Sequence, residues 1–252
     1  MRTIDTDIAI IGAGTAGMTA WRAAHDHTDQ VVLIESGPYG TTCARVGCMP
    51  SKLLIAAAEA AHTIEHASRF GVHAGGLAVD GRAVMKRVRE ERDRFVGFVV
   101  ETVQGWPEAQ RLHGHARFVD PNTLMVDDHT QVRAGRVVIA TGSSPVVPKA
   151  WREALGELLI VNDDVFEWQD LPESVAVMGT GVVGLELAQA LHRLGVRTRL
   201  YGRSGQMGPL TDPVLQTLAR DIFADELPLT PQVSGMEVHR QGDAVVVRAI
   251  DP

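Results

Sequence analysis

Residues 8–17 read Ile8-Ala9-Ile10-Ile11-Gly12-Ala13-Gly14-Thr15-Ala16-Gly17. Four consecutive apolar residues have the pattern of a buried parallel strand, and the three glycines that follow are spaced for a mechanical reason. The first permits a tight bend, the second lets backbone approach a pyrophosphate, and the third lets helix and strand pack closely. A helix is expected from Ala16 to His27, with phosphate charge resting on its N-terminus, where unpaired N–H groups and the helix dipole favour an anion. The next strand is Val31-Val32-Leu33-Ile34, and it ends at Glu35 followed by Ser36. An acid about 20 residues beyond the glycines accepts hydrogen bonds from ribose hydroxyls, which suits an adenosine ribose carrying no 2′-phosphate.

The unit recurs. Val175-Ala176-Val177-Met178 is a strand, Gly179-Thr180-Gly181-Val182-Val183-Gly184 the turn, Leu185 to Leu194 a helix stopped by Gly195, and Val196 to Tyr201 the following strand. Counting on from Gly184 as from Gly17 reaches Gly202 and then Arg203. The acid is missing and a cation is adjacent, the arrangement a 2′-phosphate prefers, so the second unit leans to NADP over NAD. The alternative is that Arg203 is a solvated charge and the nicotinamide is held elsewhere.

Between the repeats, Ser51 to Ser68 and Gly81 to Gln104 read as helices, and Leu112 to Val119, Thr123 to Val126 and Arg136 to Ala140 as strands. The last strand runs into Thr141-Gly142-Ser143-Ser144-Pro145, whose composition marks a loop and a boundary. Near the end, Met236 to Arg240 and Ala244 to Ile250 flank a Gly-Asp turn as a hairpin. The fold class expected is α/β, with two Rossmann-like dinucleotide-binding domains over residues 1–147 and 148–252.

The chain has two cysteines, Cys43 and Cys48, in Thr41-Thr42-Cys43-Ala44-Arg45-Val46-Gly47-Cys48-Met49-Pro50-Ser51-Lys52. Five positions apart on an ideal helix, their α-carbons would stand roughly 8.6 Å apart, beyond the roughly 7 Å that a disulfide tolerates. A bridge therefore requires an irregular turn, and Gly47 and Pro50 are the residues that let backbone leave the helix. The expected result is a strained, reducible bridge. Unlinked thiols packing as small hydrophobes are the alternative, and a zinc site would need two further ligands where no third cysteine exists.

Composition bounds the partners. With 24 Lys and Arg against 31 Asp and Glu, the net charge of −7 argues against a nucleic-acid surface or an anionic membrane. No apolar run approaches the ~18 residues of a membrane span, and the first apolar stretch follows Asp5 and Asp7, unlike a signal peptide. The expected compartment is a reducing cytoplasm, where a cysteine pair is more often catalytic than structural.

Together these segments resemble the first half of a class I pyridine nucleotide-disulfide oxidoreductase, with dihydrolipoamide dehydrogenases closest in character. The resemblance runs from Asp7 to about Arg203. It rests on the first glycine turn with Glu35, the Thr42-Cys43 to Lys52 segment, Ala140-Thr141-Gly142, and the second glycine turn with Glu186. It implies FAD on the first unit, near Gly12, Gly14, Thr15, Ala16, Gly17, Glu35, Ser36, Thr42, Cys43 and Lys52, with backbone around His115-Ala116 touching the adenine and Ala140, Thr141 and Gly142 nearby. It implies NAD or NADP on the second, at Gly179, Gly181, Val182, Gly184 and Arg203. It further implies that Cys48 faces the flavin as the charge-transfer thiolate, that Cys43 exchanges with a dithiol or disulfide substrate, lipoamide-type favoured, and that Lys52 lies near flavin N5 and pairs with Glu186. Glutathione-type, NADPH-dependent reductases are the alternative within the family. A non-catalytic dinucleotide-binding module with structural cysteines is the rival outside it.

Departures from the family pattern are visible. Thr41 and Arg45 stand where glycine and asparagine are common, and Val182 where some relatives carry a gating aromatic. Relative to the family, the return to the flavin domain and the interface domain with its proton-handling His and Glu are missing. The chain is therefore expected to be a truncated piece, without turnover, of a homodimeric enzyme. Of the ten histidines, His62 and His66 lie one helical turn apart and suit chelation but lack a third ligand, so no metal site is expected; His25, His27, His113 and His115 read as ordinary surface or half-buried residues.

Overall fold

The computed structural model describes residues 1–250. The chain divides into two compact units, Met1–Met49 with Arg92–Ser144, and Pro50–Glu91 with the chain from Pro145 on.

The first unit is built on a six-stranded sheet. Its elements are β1 (Arg2–Ile11), α1 (Thr15–His25), β2 (Val31–Glu35), α2 (Thr42–Val46), the start of α3 (Cys48–His66), the later part of α4 (Gly81–Gln104), β3 (Arg111–His113), β4 (Ala116–Asp120), β5 (Thr123–Val126) and β6 (Thr130–Ile139). The strand order is β3-β2-β1-β6-β5-β4. β1 runs parallel to both β2 and β6, whereas β5 and β4 are antiparallel additions. Both β1 and β6 are longer than the sequence pattern suggests, because their leading halves pair with each other from Arg2↔Thr130 onward. One face of the sheet buries Ala9, Val32, Ile34, Leu124 and Val132, the other Ile10, Leu33, Met18 and Val103. Each fully buried Ile or Leu contributes about 1.5–3 kcal/mol, so this double-sided core outweighs any single surface ion pair.

The single strand expected over Leu112–Val119 is interrupted. At Gly114, φ is +155° and an added Cβ would stand 2.5 Å from Asp127 Oδ2. The same Asp127 accepts the His115 N–H through Oδ1 at 2.9 Å. The break is therefore set by a residue beyond the next strand, out of reach of local pattern.

In the second unit, α5 (Lys149–Leu155), β7 (Ser174–Met178), α6 (Val182–Arg193), β8 (Arg197–Tyr201), α7 (Pro213–Glu226) and β9 (Leu229–Thr230) precede a hairpin, β10 (Gly235–Gln241) with β11 (Ala244–Ile250). β7, β8 and β9 form a parallel three-stranded sheet, with α6 as the first crossover and Leu185, Ala188, Leu200, Met207 and Leu227 as its core. The hairpin pairs in full register from Gly235↔Ile250 to Gln241↔Ala244. α7 starts where Asp212 accepts from the N–H groups of Val214 (2.8 Å) and Leu215 (3.1 Å), with Pro213 at its first position. Among the described residues no helix is long and apolar enough to cross a membrane.

Candidate dinucleotide and thiol site

In the first unit the glycine turn is closed by backbone. An added Cβ at Gly12, where φ is +105°, would stand 2.3 Å from the Ala140 carbonyl oxygen, and one at Gly17 would stand 1.8 Å from the Gly12 oxygen. Neither position accepts a side chain without moving main chain. At Gly14 an added Cβ meets nothing within 4 Å, so the space before α1 is open. α1 has no side-chain cap and no acidic residue in its first turn. Its free N–H groups, including those of Thr15 and Ala16, fit a pyrophosphate. Glu35 ends β2 and locks the turn, accepting from Ala13 N–H at 2.7 Å and Gly37 N–H at 2.8 Å. Ser36 is exposed beside it. The residues present thus fit the phosphates and ribose of an FAD. Ala140 anchors to β1 through its N–H, Thr141 is exposed, and Gly142 takes φ +71°. His115 is exposed and Ala116 opens β4.

The two cysteines occupy different helices. α2 ends at Val46, Gly47 turns the chain with φ −130° and ψ −118°, and α3 begins at Cys48. An added Cβ at Gly47 would stand 3.0 Å from the Thr42 carbonyl and 3.2 Å from Cys43 Cα, so the missing side chain is what lets the turn fold back. Both sulfurs are free thiols, Cys43 half-buried and Cys48 exposed. A hydrogen bond with the Cys48 thiol, then burial and repulsion by Cys48, push the Cys43 thiol above its usual range, while the backbone N–H groups of Cys48 and Met49 pull the other way. Those N–H groups open α3, so a Cys43 thiolate would be received by a helix N-terminus.

Thr41 and Arg45 also have structural jobs. Thr41 takes φ +61° and ψ 151°, a conformation natural to glycine, and its hydroxyl caps α2 by accepting from Ala44 N–H at 3.1 Å. The Arg45 stem folds across Gly40, whose added Cβ would stand 2.9 Å from Arg45 Cδ.

In the second unit the turn has the same backbone. Gly179 takes φ +116°, an added Cβ at Gly184 would stand 1.9 Å from the Gly179 oxygen, and at Gly181 one meets nothing within 4 Å. α6 likewise has no side-chain cap and no acid in its first turn. Val182, its first residue, is half exposed. Gly202 is enforced: an added Cβ would stand 2.2 Å from the Pro231 carbonyl oxygen and 2.9 Å from the Thr180 hydroxyl. No acid fits there, and Arg203 beside it is exposed. Within this unit Lys52 of α3 donates to Glu186 Oε1 of α6 at 2.6 Å. With the side chains 57% and 32% exposed, such a pair contributes only about 0–1 kcal/mol. Its effect is to fix the position of the Lys52 ammonium.

The model of the family described as pyridine nucleotide-disulphide oxidoreductase matches residues 6–248. The chain belongs to this family. Among curated relatives, it is 35% identical over 260 residues to a mercuric reductase of Streptomyces lividans, covering 98% of this chain and 53% of that protein. It is 30% identical over 241 residues to the dihydrolipoyl dehydrogenase of Bacillus subtilis (strain 168), covering 92% and 50%. It is 29% identical over 249 residues to a glutathione reductase of Burkholderia cepacia, covering 98% and 54%. The solved structure of the HOCl-induced flavoprotein disulfide reductase RclA from Escherichia coli superposes with a TM-score of 0.77 at 21% identity, covering 96% of this chain and 53% of that one, a likeness of fold. The chain spans about half the length of the curated relatives it matches.

Three residues at these turns are not marked by the sequence pattern. Ala13 and Gly37 hold Glu35 through main-chain N–H groups, which leave no trace in residue type. Thr180 donates its hydroxyl to the Gln206 carbonyl at 2.6 Å and accepts the Gly208 N–H at 2.7 Å through its own carbonyl, tying the second turn to residues 206–208. A polar residue between the two glycines, where the first unit has alanine, was the available signal.

Proposed function

We propose that the protein serves as a flavin-dependent disulfide oxidoreductase, passing electrons between a nicotinamide dinucleotide and a dithiol or disulfide through the Cys43–Cys48 pair. The observation that carries this is the thiol pair itself, with the Cys43 thiol hydrogen-bonded to the Cys48 thiol and facing the N–H groups that open α3, in the unit whose open glycine turn is locked by Glu35. In this reading residues 1–147 hold FAD and residues 148–252 hold the nicotinamide. When bound, FAD supplies a two-electron exchange between the nicotinamide and the sulfurs.

The chain's own residues do the rest. Thr15 and Ala16 present N–H groups to the pyrophosphate, and the Glu35 carboxylate has capacity left for ribose hydroxyls. Thr42, Lys52, His115 and Ala116 complete the FAD contacts, and Glu186 holds the Lys52 side chain in place by pairing with it. In the oxidised form a substrate thiolate attacks Cys43 Sγ and Cys48 leaves as thiolate. The second substrate thiol then displaces Cys43, so the substrate loses two protons and two electrons as it closes its own disulfide. Gly202 with Arg203 favours NADP(H). Lipoamide-type dithiols are the substrate class, the compartment is a reducing cytoplasm, and the working enzyme is a homodimer.

A second substrate reading has its own support. Identities of 35% and 37% to mercuric reductases favour Hg(II) as the acceptor, since two adjacent thiols are ligands for a soft ion. Anaerobic reductive titration of the FAD-loaded protein tests the common core. The wild type is expected to consume twice the reducing equivalents of Cys43→Ser; equal uptake would exclude a redox-active pair. NADH and NADPH assays with dihydrolipoamide and NAD(P), with glutathione disulfide and with Hg(II) then sort the substrates.

A further inference from the structure

On α3, His62, Glu65 and His66 bring three ligand atoms within 4.8 Å of one another. The sequence offers two histidines without a third ligand; the helix supplies it, because positions i, i+3 and i+4 share one face. From this cluster we infer that the chain binds a late first-row divalent metal ion, with Zn2+ the natural probe, through two imidazoles and the Glu65 carboxylate, leaving a fourth position open.

One imidazole is already oriented for it, and the other faces a carboxylate. Nδ1 of His66 bonds to the His62 carbonyl at 2.9 Å, which makes Nδ1 the donor and leaves the Nε2 lone pair free. Nδ1 of His62 faces Glu226 Oε1 at 4.0 Å. A metal-binding imidazole characteristically gives its other N–H to a backbone carbonyl or a carboxylate, fixing the tautomer and raising ligand basicity. Here the carbonyl partner is bonded to His66, and the Glu226 carboxylate stands one short side-chain movement from His62. The two rings lie 4.1 Å apart, centre to centre, with a 35° tilt.

The surroundings favour positive charge. Glu226 is held by Arg193 and by Gln189 Nε2 at 2.7 Å, and Arg193 also bonds Glu59. These contacts set two carboxylates, Glu59 and Glu226, against one guanidinium, with Glu65 beside the two imidazoles as a further negative charge that a divalent cation offsets. Imidazole nitrogen suits Zn2+, Cu2+ and Ni2+, and a two-histidine, one-glutamate set is an open zinc site. Ligand atoms around a four-coordinate zinc stand about 3.4 Å apart, a closure within reach of the exposed Glu65 side chain. Lys52 lies about 15 Å back along the same helix, so this is a different site from the Lys52–Glu186 pair.

Cys43 and Cys48 are themselves zinc ligands, so the test uses the whole chain with both thiols alkylated by iodoacetamide and metals stripped by EDTA. Zn2+ is titrated by calorimetry into this protein, into the double variant His62→Gln with His66→Gln, and into Glu65→Gln. One saturating site per chain is expected, weakened at least about a hundredfold in the double variant and about tenfold in Glu65→Gln. Uptake of no Zn2+ by the wild-type sequence, or equal affinity in folded variants, overturns the site. Should the double variant fail to fold, the visible spectrum of Co2+ added to the wild-type chain decides: bands of four- or five-coordinate nitrogen and oxygen ligation support the site, and the spectrum of free aqueous cobalt overturns it.

Discussion

The two glycine turns share a backbone and differ in what secures them. Gly12 and Gly179 take φ +105° and +116°, and an added Cβ at Gly17 or Gly184 would strike the carbonyl of Gly12 or Gly179 at 1.8 or 1.9 Å, respectively. In the first turn Glu35, at the end of the second strand, clasps the N–H groups of Ala13 and Gly37. In the second the corresponding residue is Gly202, pressed against the Pro231 carbonyl, and Thr180 makes the tie to the 206–208 segment. Steric demands of strand-to-helix packing fix the turn itself. The residue at the strand end is free to vary only where neighbouring backbone leaves room, and there it decides which ribose is recognised.

Making the second turn like the first is expected to have the largest effect. Gly202→Glu drives a side chain into the Pro231 carbonyl and should cost about 3 kcal/mol, read as a lower urea midpoint. A variant as stable as the wild type, with nicotinamide preference moved to NAD, would break the steric half of the comparison. Glu35→Ala strands two N–H groups and should cost about 2 kcal/mol, accompanied by weaker FAD binding measured by flavin fluorescence quenching. Retained affinity would show that the clasp is dispensable. Thr180→Val keeps shape and removes one hydroxyl bond, so about 1 kcal/mol should disappear, with the urea midpoint again the measurement. Thr41→Gly should be the smallest change and of opposite sign: relief of a positive φ outweighs a cap that glycine replaces at small cost, for a net gain of about 0.5 kcal/mol in thermal denaturation.

Both turns were legible in the sequence because three glycines at fixed spacing between a strand and a helix report a local steric demand. The irregular turn between the cysteines was legible for the same reason, through Gly47. What required long-range partners was not. Gly114 breaks a strand because of Asp127, which no pattern over residues 112–119 contains. α7 has a start signal in Asp212-Pro213, but its apolar residues are split, Val214, Leu215, Leu218 and Ile222 being exposed while Ala219 and Phe223 pack against the core, so residue type does not reveal the buried face. The Lys52–Glu186 contact joins residues 134 positions apart, and only the resemblance to a known family drew attention to it. Glu65 carries no signal as a residue type, since exposed helical glutamates are common, and only its spacing from His62 places it on the face of the histidines.

Helix α3 is seated by buried Leu54, Ala58 and Ala61, and the Cys48 sulfur sits at its very first residue. One residue inserted between Cys43 and Cys48 would turn that sulfur by about 100° of helix, away from its partner on α2. The segment therefore works as a gauge of length: many exchanges of residue type along it can be absorbed, while a single added or deleted residue cannot.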